Sequence, residues 1–241
     1  MKYLITSSGF LHQGDCLDVM ATIPDGSIDM ILCDLPYGTT DCKWDNLIPM
    51  EPLWDHYRRL IKQNGAIVLT AQQPFATGLI NAARKWFRYE IIWEKAKALG
   101  FLNANRMPLR AHENVLVFYR RLPIYNPQFT DGTPYVSKHA QAKTAVYHDI
   151  KKRIDTINKG VRYPRSVLRF PQEGRTGHPT EKPQALFEWL VKTYTKPGET
   201  VLDNCMGSGT TAAACEATER RWIGIEMSEE YCEMTRKRLV I

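Results

Sequence analysis

The chain has no uninterrupted apolar run approaching the roughly eighteen residues that a membrane-spanning helix needs, so a helical membrane protein is not expected. Its first residues, MKYLITSSGF, lack the apolar stretch of a secretory signal. The expectation is a cytoplasmic protein. Cysteine is sparse: the 6 residues, at positions 16, 33, 42, 205, 215 and 232, form no C-x-x-C pair and no Cys/His cluster with zinc spacing. Cys33 and Cys215 lie in apolar stretches and read as small buried hydrophobes. Reduced thiols and no metal are the expectation. Repeats and low-complexity tracts are also missing. What remains is a chain of 241 residues, 44% of them apolar, which is enough for one large domain or a domain carrying an insertion.

Acidic residues are scarce in one segment. From Arg120 to Lys182 there are 13 Lys or Arg against 5 Asp or Glu, a local +8, which leaves −2 for the rest of a chain whose net charge is +6. Positive charge gathered in about a quarter of the length suggests a polyanionic partner, most simply nucleic acid, although a solvated basic surface would look the same.

Outside that segment, short apolar runs rich in Ile and Val alternate with amphipathic stretches. The runs GFLHQGD (9 to 15), SIDMILCD (27 to 34), GAIVLT (65 to 70), YEIIWEK (89 to 95), ENVLVFYR (113 to 120), ETVLDNC (199 to 205) and RWIGIEM (221 to 227) read as strands covered on both faces. Helices are expected over 16 to 23, 50 to 63, 75 to 87, 183 to 194, 209 to 219 and 228 to 239. The first turn of the last carries Ser228 as N-cap, with Glu229 and Glu230 behind it. This alternation implies an α/β fold with a mostly parallel sheet. The stretch 121 to 176, rich in Pro, Tyr, Lys and Arg, has no period and reads as an irregular insertion outside the sheet.

In open α/β sheets, ligands bind beyond the carboxyl ends of the strands, and two strands here end in chemistry. Val201-Leu202-Asp203 runs into Asn204-Cys205-Met206-Gly207-Ser208-Gly209-Thr210-Thr211, an acid followed by a Gly-rich turn that opens a helix. No Lys follows the second Gly, so this is not a P-loop. It is not G-x-G-x-x-G either, which disfavours a dehydrogenase. Glu226, one strand later, can accept from both hydroxyls of a ribose. The alternative is a tight turn with a surface acid. The second site is ILCDLPYG (31 to 38). The Asp34 carboxylate and the Leu35 carbonyl are acceptors, Pro36 stiffens the turn, and Tyr37 offers a flat face. Two acceptors and a stacking ring suit an exocyclic amine on a planar base. The lone pair of such an amine is conjugated with the ring. Drawing both N–H hydrogens toward acceptors pyramidalises the nitrogen and frees that pair.

These residues carry a resemblance. DLPYG resembles the DPPY motif of amino-directed DNA methyltransferases, and VLDNCMGSGTT resembles their S-adenosylmethionine loop, LDPFxGSGTT. HPTEKP (178 to 183) is similar to the HPTxKP segment before that loop, and GDCLDVMATIPDGSIDMILCDLPYG to the family's run into DPPY. The order, catalytic motif first and cofactor loop last, is that of the β group. The likeness covers Gly14 to Leu239, and GFLNANRMPLRAHENVLVFYRR also resembles phage and prophage members. Two departures stand out: Leu35 replaces the first Pro of DPPY, and Asn204-Cys205 replace Pro-Phe. The family uses a main-chain carbonyl at the first position, which Leu supplies equally, whereas the missing Phe bears on cofactor affinity.

The resemblance implies a Rossmann-like, S-adenosylmethionine-dependent methyltransferase fold with a mostly parallel seven-stranded sheet and permuted motif order. It divides the chain into a catalytic part (1–120), a basic target-recognition insertion (121–176) and a cofactor-binding part (177–241). It assigns catalysis to Asp34, Leu35, Pro36 and Tyr37. Cofactor binding goes to the loop Asp203, Asn204, Cys205, Gly207, Ser208, Gly209, Thr210 and Thr211, with Glu226 on the ribose. Asp15 and Cys16 would lie at the adenine, Lys182 and Pro183 near the methionine end, and Asp34 would serve both ligands. Lys151, Lys152, Arg153, Arg162, Arg165 and Arg169 are the candidates for double-stranded DNA. Asp in the first motif position favours N6 of adenine over N4 of cytosine. An RNA or protein-glutamine methyltransferase fits less well, and a catalytically silent DNA-binding relative is the rival from another class. No nuclease segment is visible, so a restriction partner would be another chain. Members of the β group are often dimers, and a homodimer is compatible with the resemblance. Trp44 could wall the flipped base or simply pack. His112 and Glu113, opening an apolar strand, and Trp86, Phe87 and Trp93 read as structural.

Overall fold

A computed structural model describes residues 2–5, 7–38, 46–138, 156–171 and 181–239. Trp44, Lys151, Lys152, Arg153 and residues 178–180 of the HPTEKP segment lie outside these.

The chain divides into two compact units, one of residues 1–126 and 166–241, the other of 127–165. In the first unit, β1 (Lys2–Ile5), β2 (Gly9–Gln13), α1 (Cys16–Thr22), β3 (Ile28–Asp34), α2 (Met50–Leu60), β4 (Ile61–Ala71), α3 (Phe75–Ala82), β5 (Phe87–Leu99) and β6 (Arg110–Phe118) follow one another. The second unit holds β7 (Thr130–Asp131), β8 (Tyr135–Ser137), β9 (Thr156–Asn158) and β10 (Val161–Arg162). The first unit resumes with β11 (Val167–Phe170), α4 (Gln184–Tyr194), β12 (Thr200–Asp203), α5 (Thr210–Glu216), β13 (Arg221–Glu226) and α6 (Glu229–Leu239). No described helix is long and apolar enough to cross a membrane.

The sheet of the first unit is 9-stranded, in the order β1-β2-β13-β12-β3-β4-β6-β5-β11. The seven strands expected from the apolar runs form its centre, from β2 to β5, with β1 and β11 added at the edges. Pairing is parallel except for β1 with β2 and for β6 with both its neighbours. Alternate side chains of each central strand feed two cores. Ile31, Cys33, Ile67 and Leu69 pack with α1, α2 and α3, whereas Met30, Leu32, Ala66 and Val68 face residues of α4, α5 and α6. Strands buried on both faces explain the lack of alternation in the sequence.

Three expectations shift. The helix expected over 50 to 63 ends at Leu60, because Ile61 already pairs with Ile28. Gly65 lets β4 approach β3 closely there, since a Cβ at this position would lie 2.7 Å from the Asp29 carbonyl oxygen. The helix expected over 75 to 87 ends at Ala82, and its last residues turn into β5. Finally, Val167–Phe170 does not belong to an irregular insertion. It pairs in parallel with Ile92–Lys95, and the Trp93 indole donates to the Phe170 carbonyl at 3.0 Å.

The second unit is built from two antiparallel pairs, β7 with β10 and β8 with β9. Phe129 and Tyr163 meet edge to face at 4.9 Å. The Arg162 guanidinium lies 4.8 Å from the Tyr135 ring centre and donates to Asn158 and to the Thr133 and Val161 carbonyls.

Candidate active site

Four adjacent parallel strands carry polar residues side by side at their carboxyl ends: Glu226 closes β13, Asp203 closes β12, Asp34 closes β3, and Thr70 is the last residue but one of β4. Register aligns Asp203 with Gly224 and Asp34 with Thr70. The chain leaves β3 toward β4 on one side and β12 toward β13 on the other, so this is the point where strand order reverses and ligands bind. A cleft of about 450 Å³ opens here, within the usual range for small-molecule sites. It is lined by Asp15 and Cys16, by Asp34 to Tyr37, by Lys182, by Asp203 to Ser208, by Thr210 and Thr211, and by Glu226.

One end is the Gly-rich loop. Asp203, almost fully buried, accepts from the Cys205 N–H at 3.0 Å and from the Thr211 hydroxyl. Burial pushes its carboxyl up to about 6, although these donors favour its charged form. Gly209 caps α5 with φ 83°, and a Cβ there would sit 2.8 Å from the Thr235 side chain. Both the left-handed backbone and the close approach therefore require glycine. Glu226 accepts from the Gly207 N–H and the Ser228 N–H, each at 2.8 Å, and burial raises its pKa against these donors. Asn204, which departs from the family pattern, is buried and accepts from the Tyr57 hydroxyl at 2.6 Å. Asp15 caps α1 by accepting from the Leu17 N–H at 2.8 Å, which sets Cys16 on the cleft wall. A hydrogen bond with Cys205 lowers the Cys16 pKa. Pro183 is buried at the N-cap of α4.

The other end is a chain of buried charges. Asp34 Oδ1 accepts from the Tyr37 hydroxyl at 2.8 Å and from the Thr70 hydroxyl. Asp34 Oδ2 lies 2.8 Å from Lys182 Nζ, and Lys182 Nζ lies 3.1 Å from Glu113 Oε2. Glu113 Oε1 takes Lys95 and, at 3.0 Å, the Gln72 amide. Two carboxylates and two ammonium groups thus balance in a site where Lys95, Lys182 and Glu113 are nearly inaccessible to water. Burial works against the charge on Lys182, yet the facing Asp34 and Glu113 carboxylates raise its pKa above the usual lysine value. Burial likewise opposes the charge on Glu113, but Lys182 and Lys95 hold it down at about 2. Burial, then the charge of Asp34, raise the Tyr37 phenol. The Tyr37 ring lies 5.4 Å from that of Phe75, with Lys182 5.5 Å from its centre. Two donors fill the acceptor positions of Oδ1, whereas among the described residues Oδ2 faces only Lys182 and keeps room for a second donor.

The cleft brings together all the catalytic residues expected from the sequence, and every expected cofactor residue but Gly209 and Pro183 lines it directly. Glu113, Lys95, Thr70 and Gln72 were not among the expected site residues. Glu113, read as structural from its place at the head of an apolar strand, bridges the two lysines. Of the residues expected on DNA, Arg165 is exposed, and Arg162 is engaged inside its own unit. Arg169 sits on β11 in a two-bond ion pair with Glu94, at 2.6 and 2.9 Å.

A model of the N6/N4 methyltransferase family, described as DNA methylase, matches residues 28–237. The type II methyltransferase M.HinfI of Haemophilus influenzae is 26% identical over 263 residues, spanning 94% of this chain and 67% of its own length. Among solved structures, the M1.HpyAVI–SAM complex superposes with a TM-score of 0.67 at 24% identity, over 96% of this chain and 98% of that one. The cytosine-N4-specific PvuII DNA methyltransferase superposes with a TM-score of 0.70 at 18% identity, over 97% and 86%. At these identities both likenesses speak to the fold.

Proposed function

The chain belongs to the DNA methylase family of N6 and N4 methyltransferases, and from that premise we propose that it methylates the exocyclic N6 of an adenine turned out of duplex DNA, with S-adenosylmethionine as methyl donor. The observation that carries this reading is Asp34, whose Oδ2 keeps an acceptor position beside Tyr37 and the Leu35 carbonyl, in one cleft with the Gly-rich loop.

The residues present fit the cofactor. Glu226 is a largely buried acid at a strand end, where two ribose hydroxyls can donate to it, and the cleft has the size for a nucleoside. When bound, S-adenosylmethionine supplies a methyl carbon made electrophilic by its sulfonium. Asp15 and Cys16 would flank the cofactor's adenine, and the loop from Asp203 to Thr211 would hold the cofactor. Tyr37 stacks on the extruded base. Asp34 Oδ2 and the Leu35 carbonyl each accept one amino hydrogen, which localises the nitrogen lone pair. With the cofactor bound, that pair would take its methyl group as the bond to sulfur breaks, and the surplus amino proton would leave by way of Asp34. Catalysis is then positioning and electrostatics.

N4 of cytosine is the second reading, favoured by the likeness to a cytosine-N4-specific enzyme; it gives the same residues the same roles. Radiolabelled methyl transfer to unmethylated genomic DNA, with nucleoside analysis, tests both. N6-methyladenine is the expected product. N4-methylcytosine would replace the base but keep the mechanism, and unlabelled DNA from cofactor-binding protein would sink the reading.

DNA affinity in this reading draws on the basic segment 121–176. Arg165→Ala lowers affinity on all sequences and reduces the slope of log affinity against log salt by about 1, as loss of one phosphate contact does. Arg169→Ala changes that slope less, because its guanidinium is engaged by Glu94. Equal slopes for the two variants would remove the distinction.

A further inference from the structure

Among the described residues of the first unit, the turn between β5 and β6 is the most exposed apolar feature. Leu102 is 100% and Phe101 80% exposed, with Met107 and Leu109 exposed beside them. The turn is built, not loose. Asn103 N–H bonds the Gly100 carbonyl, Ala104 N–H that of Phe101, and the Arg106 and Met107 N–H groups share that of Asn103. Holding large apolar side chains in water on an ordered turn is unfavourable without a partner. The surrounding charge says which: Lys97, Arg106 and Arg110 flank the tip, and no Asp or Glu occurs from 96 to 112. The base of the turn belongs to the site, since Leu99 and Arg110 line the cleft. Arg110 donates to Gln72 at 2.9 Å and Gln72 to Glu113 at 3.0 Å, which leads through Lys182 to Asp34.

We propose that Phe101 and Leu102 form a wedge that enters the base stack of duplex DNA next to the target and fills the gap its extrusion leaves, while Lys97 and Arg106 take the flanking phosphates. The wedge rests on the DNA-methylation reading above. An extruded base leaves neighbours unstacked, and apolar side chains inserted between base steps offset that loss. Both residues are exposed, so their replacement leaves folding and the cofactor loop intact.

The test uses the full chain with Phe101→Ala and Leu102→Ala combined, and a short duplex carrying the site that sequencing of methylated genomic DNA returns. The variant keeps wild-type S-adenosylmethionine affinity. Its methylation of the matched duplex falls roughly 10- to 100-fold, as does the fluorescence rise of 2-aminopurine at the target position. A mismatch opposite the target, which makes extrusion easy, restores its rate to within about threefold of wild type. Unchanged methylation of the matched duplex, or equal losses on matched and mismatched DNA, would overturn the wedge while leaving the methylation reading intact. Wild-type protein that binds the cofactor and methylates no DNA would overturn both.

Discussion

Asp34→Asn lowers turnover in methyl transfer to DNA by roughly 10²- to 10³-fold, the usual effect of removing one preorganised polar group from a reacting centre. Asparagine keeps the shape of the side chain and one acceptor oxygen. If that oxygen stays with Tyr37 and Thr70, the position facing Lys182 becomes an N–H₂ donor set 2.8 Å from an ammonium group. A donor there cannot accept the amino hydrogen of a base, so the nitrogen lone pair stays conjugated. Because the proposed function gives most of the cofactor contacts to Glu226 and the loop from Asp203, S-adenosylmethionine is expected still to bind. Single-turnover methylation and calorimetric cofactor titration read the two effects separately. Turnover above a tenth of wild type would remove Asp34 from the reaction. Loss of cofactor binding equal to the loss of turnover would move its role to the cofactor.

The sequence made the scaffold legible because each central strand is covered on both faces. Ile31 and Cys33 serve one core, Met30 and Leu32 the other. An unbroken apolar run followed by one acid therefore marks a strand with its functional end. The Gly-rich loop and Asp34 could be read for the same reason: each carries its signal within a few neighbouring residues. The charge network could not. Asp34, Thr70, Lys95, Glu113 and Lys182 are far apart in the chain; strand pairing of Asp34 with Thr70, Thr70 with Val115 and Trp93 with Glu113 brings the first four together, and Lys182 joins them just before α4. One signal was available: Lys95 closes an apolar run and Glu113 opens the next, and charges bounding strands this deeply buried need partners. The edge strand Val167–Phe170 was illegible because four residues amid Pro and Arg carry no period of their own, and its partner strand defines it.

Lys182→Met destabilises the fold by about 3 to 5 kcal/mol at neutral pH, as breaking a buried ion pair does, and makes its stability less dependent on pH in the acid range. The sign follows from Glu113, which Lys182 and Lys95 hold at about 2 instead of its ordinary 4.5. A carboxyl with a depressed folded pKa stabilises the fold above its unfolded value, and this contribution is lost as pH falls from about 4.5 toward 2. Without Lys182, the larger source of attraction, the Glu113 pKa rises toward its unfolded value, so less stability remains to be lost as pH falls. Asp34 meanwhile loses the cation that faces its Oδ2. Lys182 and Glu113 are in contact, so their effects are not additive. In the double variant Lys182→Met with Glu113→Gln, one positive and one negative charge leave together, and Asp34 no longer confronts a second carboxylate. The double variant is therefore less destabilised than the sum of the single variants. Urea denaturation of all four proteins from about pH 2 to 8 measures the coupling and its pH dependence. Strict additivity would mean that Lys182 and Glu113 act independently, and that Asp34 is positioned by Tyr37 and Thr70 alone.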